Sequence, residues 1–200
     1  MEYTAAAAPF TPAGTVVAIV GDGAADALDA LSGIPGVETL ALHDDEPALG
    51  ARRIAASLSP WVVHDADPLI HVAAAWVELY EERSTLGALD VEIETALSRF
   101  GAGEAIMPDY YVVLDASSAD ETWRHWWCGA LGYRAPRRVL PVDAPASGTA
   151  TAIRRLLTSL PSSRPWPDPG TWLPGLAFEI PDRVGVRDTA ARPRGAASTG

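Results

Sequence analysis

The chain reads as a single α/β domain, a mainly parallel five-stranded sheet covered by helices on both faces. Three observations predict this. Short apolar, β-branched runs recur at 15–20, 37–42, 61–64, 110–114 and 139–142. Segments of helical period separate them. The first run is continuously apolar, as a strand covered on both faces should be, and it passes directly into a glycine turn, Gly21-Asp22-Gly23, and a helix start. Strands alternating with helices in this way build parallel sheets.

In order, residues 1–13 form a loose, alanine-rich arm before the strand at 15–20. A short helix over 24–31 stops at Ser32-Gly33-Ile34-Pro35-Gly36. The second strand, 37–42, ends in the acidic run His43-Asp44-Asp45-Glu46. Pro47 suits the first position of the next helix, which puts Ala51, Ile54, Ala55 and Leu58 on one face. The strand Trp61-Val62-Val63-His64 closes at Asp65-Ala66-Asp67-Pro68. Leu69, Val72, Trp76, Leu79 and Tyr80 follow the helical period, and so do Leu86, Leu89, Ile93, Leu97 and Phe100.

Tyr110–Leu114 is the central strand, ending at Asp115. Ser118 or Asp120 caps a helix that gathers Trp123, Trp126 and Trp127 and ends at Gly132. A fifth strand over 139–142 precedes a closing helix carrying Ile153, Leu156, Leu157 and Leu160. Residues 161–175 hold five prolines, Trp166 and Trp172, and are expected to run extended and packed back on the domain. An edge strand over 176–180 is expected next. The domain is bounded at 14–183, and 184–200 is expected to be a disordered tail.

Composition narrows the function. At 200 residues the chain can bury a real core. Cys128 is the lone cysteine, which excludes an intramolecular disulfide and a cysteine-rich zinc site. No apolar run reaches the length of a membrane span, and the N-terminus lacks a basic signal region; cytoplasmic residence is the expectation. All fifteen basic residues are arginine. That excludes a Schiff-base lysine and a phosphate-binding lysine. The net charge of −11 argues against nucleic-acid and anionic-membrane binding. Charge is also unevenly placed: residues 1–51 hold eight acids and no base, while 134–200 hold ten arginines and five acids.

The segments Val16–Leu28, Pro35-Gly36-Val37-Glu38, Trp61–Asp65 and Pro108-Asp109-Tyr110-Tyr111-Val112-Val113-Leu114-Asp115 occur in an order that resembles the nucleoside and nucleotide kinases of the P-loop fold, thymidylate-kinase-like proteins above all. The resemblance covers about 16–157. It implies a nucleotide site at Gly21 and Gly23, an acid at Asp65 acting as base or orienting an acceptor hydroxyl, and a lid bearing Arg134, Arg137 and Arg138. Two departures stand against activity. A working P-loop needs G-x-x-x-x-G-K-[ST], and here Gly21-Asp22-Gly23-Ala24-Ala25-Asp26 carries neither lysine nor hydroxyl. Ala66 stands where those kinases place the arginine that follows the acid.

Each candidate also has a structural reading. Asp22 caps its own helix and fills the anion site from within. Asp65 is a strand-end acid, and Asp67 caps the next helix. The arginines of 134–138 are a solvated loop offsetting an acidic body. His64, Asp65, Asp67 and His71 match no metal-ligand spacing, so no metal site is assigned and no cofactor can be named. The tryptophans at 123, 126 and 127 are core or a partner surface, and Cys128 has no identified catalytic partner.

The expected function is therefore a kinase-like fold that has lost ATP-dependent phosphoryl transfer and binds a protein partner or small molecule. One alternative is an atypical nucleotide-dependent transferase in which arginines replace the lysine. Another is a dinucleotide-binding protein reading G-x-G-x-x-G at Gly21 and Gly23, with Asp44 or Asp45 on the ribose.

Overall fold

The computed structural model describes residues 11–162 and 166–178. Five strands form one parallel sheet: β1 (Thr15–Val20), β2 (Val37–Leu40), β3 (Trp61–His64), β4 (Tyr110–Leu114) and β5 (Val139–Val142). Their order is β2-β3-β1-β4-β5, so β1 is central. Parallel strands require crossovers, here supplied by helices. A parallel sheet with helices on both faces is compatible with a P-loop-like fold.

Side-chain alternation along the strands assigns the two faces. Val17, Ile19, Val63, Tyr110, Val112 and Leu114 pack with α1 (Ala24–Leu31) and α7 (Ala146–Ser159). Ala18, Val20, Tyr111 and Val113 face α3 (Ile70–Tyr80) and α4 (Leu86–Ala102), and Val16 and Val62 meet Ile54 of α2 (Pro47–Ala56). The register aligns Leu40, His64, Ala18, Tyr111 and Val139 in one row across the sheet, all on this second face.

The tryptophan helix is not uniform. Asp120 caps it, its carboxylate accepting from the Thr122 N–H at 3.0 Å. α5 (Glu121–Arg124) then widens into a π-helical segment, His125–Leu131, before α6 (Gly132–Arg134). The Gly132 N–H donates to the Trp127 carbonyl five residues back. This widened turn lets neighbouring Trp126 and Trp127 both be buried, with Gly129, Ala130 and Leu131. Gly132 is helical (φ −63°), so the helix runs on to Arg134 instead of ending there. With Trp76, Trp166 and Trp172 also buried, these tryptophans are core.

Beyond α7 the chain returns along the edge of the sheet where the strands begin. The Tyr110 hydroxyl donates to the Pro161 carbonyl (2.8 Å) and the Trp166 indole to the Asp109 carbonyl (3.3 Å). Packing back is as expected, but the end of this segment is helical, comprising α8 (Pro169–Trp172) and a 3-10 turn, Leu173–Phe178. No edge strand forms over 176–178: Leu173 and Leu176 are buried together from this turn, and Pro174 opposes a ladder. Residues 179–180 of that expectation, the tail at 184–200 and the arm at 1–10 lie outside the described residues. The second strand also stops at Leu40, two residues early.

Gly21 and Gly23 separate two kinds of glycine requirement. Both have left-handed backbone, φ +96° and +81°. A Cβ on Gly21 would lie 2.6 Å from the Leu114 carbonyl oxygen, whereas one on Gly23 would meet nothing within 4 Å. Gly23→Ala should therefore cost only the left-handed strain, about 1–2 kcal/mol. Gly21→Ala should cost clearly more, about 3 kcal/mol or above, since the β1–β4 seam must also shift. Urea denaturation of the two variants checks this; equal losses would contradict it.

Candidate functional site

In a parallel α/β sheet, ligand sites form beyond the carboxyl ends of the strands, where crossovers leave in opposite directions. Here that place flanks β1: α1 leaves on one face, while the helices after β3 and β4 lie on the other. Around it stand the Gly21–Gly23 turn, the loop after β3 with Asp65 and Asp67, and Asp115 after β4.

The turn is short. Three residues, Gly21-Asp22-Gly23, join β1 to α1. Gly23 is the N-cap, and the Ala27 N–H donates to its carbonyl (3.0 Å). The expectation that Asp22 caps this helix is corrected: the cap position falls on a residue with no side chain, and no side-chain cap bond forms. Asp22 and Asp26 are exposed beside the first turn of the helix. At about 4 Å, two unit charges interact by roughly 4 kcal/mol at an effective dielectric of 20. Carboxylates so placed oppose an approaching phosphate.

Asp65 is occupied. Its Oδ1 accepts from the Leu42 N–H (2.6 Å) and the His43 N–H (3.1 Å). The acid at the end of β3 thus fastens the loop after β2. Asp115 continues β4 with φ +45°, its carbonyl accepting from the Ser118 and Ala119 N–H groups. Asp143 after β5 accepts from the Ser117 N–H (3.0 Å). The loops along this edge are cross-tied by carboxylates.

The arginines lie elsewhere. Residues 134–138 precede β5, so they sit at the edge where the parallel strands begin, opposite the glycine turn. The Tyr111 N–H donates to the Arg138 carbonyl (2.7 Å) at the start of the ladder, whereas Gly21 passes Leu114 at its end. Three to four residues of strand, about 10–13 Å, separate the two levels. Gly21 and Gly23 therefore do not share a site with Arg134, Arg137 and Arg138. Arg137 is exposed.

The four side chains of 64–71 also diverge. His71 is exposed on α3, Asp65 holds backbone N–H groups, and His64 and Asp67 turn inward. No three His, Cys, Asp or Glu side chains among the described residues converge as metal ligands. Cys128 is half-buried, and burial raises its thiol pKa, the opposite of what activates a nucleophile.

Residue-by-residue reading missed a buried polar cluster on the α3 face. Asp67 Oδ1 accepts from the Leu69 N–H (2.8 Å), the capping role expected of it, and also from the Tyr111 hydroxyl (3.0 Å). Although Asp67 as a residue is half-buried, its Oδ2 is covered and has no hydrogen-bond partner. The Trp127 indole N–H lies near enough to favour the charged carboxylate, yet does not reach hydrogen-bond geometry. Burial dominates and pushes Asp67 up to about 6, against the Leu69, Tyr111 and Trp127 donors. His64 is 1% exposed, with neither ring nitrogen bonded. Burial lowers its pKa to about 4, opposed by the Asp65 charge and the Ala66 backbone. Burial, and then the Asp67 charge, drive the Tyr111 phenol well above its usual value. The signal for the cluster was strand parity: His64 and Tyr111 fall in one row with Ala18 between them.

No protein-family model matches the chain, and no curated protein matches it in sequence. Among the described residues no helix is long and apolar enough to cross a membrane.

His64 and Asp67 give opposite pH dependences. The folded pKa of His64 is about 4 against 6.5, so stability is lost as pH falls from 6.5 to 4. That of Asp67 is about 6 against 3.8, so stability is lost as pH rises through 3.8 to 6. Each amounts to about 3 kcal/mol, and in the parent they largely offset. Relative to the parent, Asp67→Asn should therefore lose stability progressively from pH 6.5 to 4. His64→Gln should gain it over the same range. Urea midpoints at stepped pH check both slopes; parallel curves for the two variants would contradict the assignment.

Proposed function

We propose that this chain is a nucleotide-kinase-like α/β protein without ATP-dependent phosphoryl transfer, and that it acts by binding or scaffolding a protein or a small molecule. The observation that carries this reading is the three-residue link between β1 and α1. A phosphate cradle needs a longer loop whose successive N–H groups surround the anion, with a lysine to neutralise it and a hydroxyl to hold Mg²⁺. This link is too short to wrap an anion, it is flanked by exposed Asp22 and Asp26, and the chain has no lysine to add.

The other loops support the same reading. Asp65, the candidate general base, has both bonds of its Oδ1 committed to backbone. A base must instead reach the hydroxyl it deprotonates. The arginine-for-lysine alternative finds its arginines at the opposite edge of the sheet. The dinucleotide alternative needs the acid after β2 beside the β1 turn, as in the strand order 3-2-1-4-5-6. Here β3 lies between β2 and β1, and Asp45 is paired with Arg53.

Isothermal titration with Mg·ATP, together with a turnover assay on nucleosides and nucleoside monophosphates, tests the proposal. The expected result is no saturable heat at micromolar nucleotide and no product. Micromolar binding with turnover would overturn it. Arg137→Ala should leave phosphate affinity and the urea midpoint unchanged; a loss of anion binding would restore the arginine-based transferase.

A further inference from the structure

A link over residues 81–85 folds α4 back beside α3. Between the two helices lies a groove of about 200 Å³. Ala74, Ala75 and Ala88 form its small, apolar lining, with His71, Glu78 and Glu92 around them. Neither glutamate has an ion-pair partner among the described residues; the nearby Arg83 is taken by Glu81. Alanines leave room for the apolar stem of a long cationic side chain, and the carboxylates beside them suit its charged end. Arginine fits best, since its planar fork matches carboxylate geometry.

The other side of the sheet carries such groups. Ile153 and Leu157 anchor α7 inward, which leaves the adjacent Arg154 and Arg155 exposed on its outer surface. Side chains of successive helical residues diverge by about 100°, so the two arginines can straddle a narrow groove. α7 holds no acid. Neither arginine pairs with a carboxylate among the described residues, Asp26 and Asp29 of the adjoining α1 included. In the arginine cluster before β5, Arg134 and Arg138 are engaged within the chain, which leaves Arg137. Since α7 packs on one face of the sheet and α3 and α4 on the other, the arginine pair and the groove of one molecule cannot meet.

We propose that the α3–α4 groove takes Arg154 and Arg155 from α7 of a second copy of the chain. Two different surfaces then meet, so each copy keeps one groove and one arginine pair to offer. Copies joined this way line up head to tail, into a ring or an open filament. Each exposed arginine–carboxylate pair contributes little by itself, so the association is weak and concentration-dependent. The net charge of −11 repels copies at long range. At about 0.15 M salt the Debye length is about 8 Å, which damps that repulsion while pairs at hydrogen-bond distance persist. Neither surface includes the β1–α1 turn, so this contact stands apart from the nucleotide reading.

Sedimentation velocity of the full chain at rising concentration tests the proposal. At about 0.15 M salt the weight-average coefficient of the parent is expected to rise with concentration towards the millimolar range. The rise should disappear at about 1 M salt, where the Debye length is about 3 Å. R154E/R155E and E78R/E92R should each stay monomeric. An equimolar mixture of the two should associate again, because both of its contacts pair arginine with glutamate. R137E should behave as the parent. A parent that stays monomeric at millimolar concentration would overturn the proposal, as would association that persists in R154E/R155E. So would a mixture that stays monomeric, or loss of association in R137E.

Discussion

The rest of the structure depends on how closely β1 leaves the sheet against β4. At Gly21 the backbone turns so near the Leu114 carbonyl that a single methyl would meet it at 2.6 Å. That approach fixes the central seam, sends α1 to the face opposite α3 and α4, and limits the link to three residues. The same constraint that organises the sheet leaves only three residues between β1 and α1. On the proposed function, the fold and the loss of nucleotide chemistry would both follow from one tight turn.

Around that seam the carboxylates work within the chain. Asp65 holds the loop after β2, Asp143 the loop after β4, and Asp109 accepts the Val16 N–H (2.8 Å) at the start of β1. Asp67 joins the loop after β3 to Tyr111 of β4, beneath a layer of buried tryptophans. In a chain without lysine these acids satisfy backbone and hydroxyl donors instead of ammonium groups. The opposed pKa shifts of the buried Asp67 carboxyl and His64 imidazole make their contributions to stability run in opposite directions between pH 4 and 6.

The sheet, its parallel sense and most helix limits were legible because strand runs and helical periods are local signals. Helix 24–31, the strands at 15–20 and 110–114, and a cap at Ser118 or Asp120 needed no tertiary information. Strand order was not legible, since pairing depends on contacts distant in sequence. Trp126-Trp127 hid the π-helical turn: two adjacent buried tryptophans break the 3.6-residue period that identifies a helix. Asp65 looked like a reactive acid because its donors, the Leu42 and His43 N–H groups, lie over twenty residues away. The location of Arg134, Arg137 and Arg138 could have been deduced. In a parallel sheet, whatever immediately precedes a strand sits at the edge opposite the one that Gly21 follows. The edge strand expected at 176–180 overlooked Pro174-Gly175, which favours the turn that forms.

The central claim is that the β1–α1 turn takes no phosphate. A residue-resolved titration of the ¹⁵N-labelled chain with inorganic pyrophosphate tests it most directly, through the amides of Gly21, Asp22, Gly23, Ala24, Ala25 and Asp26. The account predicts that these amides stay fixed up to millimolar pyrophosphate at constant ionic strength. Saturable shifts centred on Gly23, Ala24 and Ala25 at micromolar concentration would contradict it.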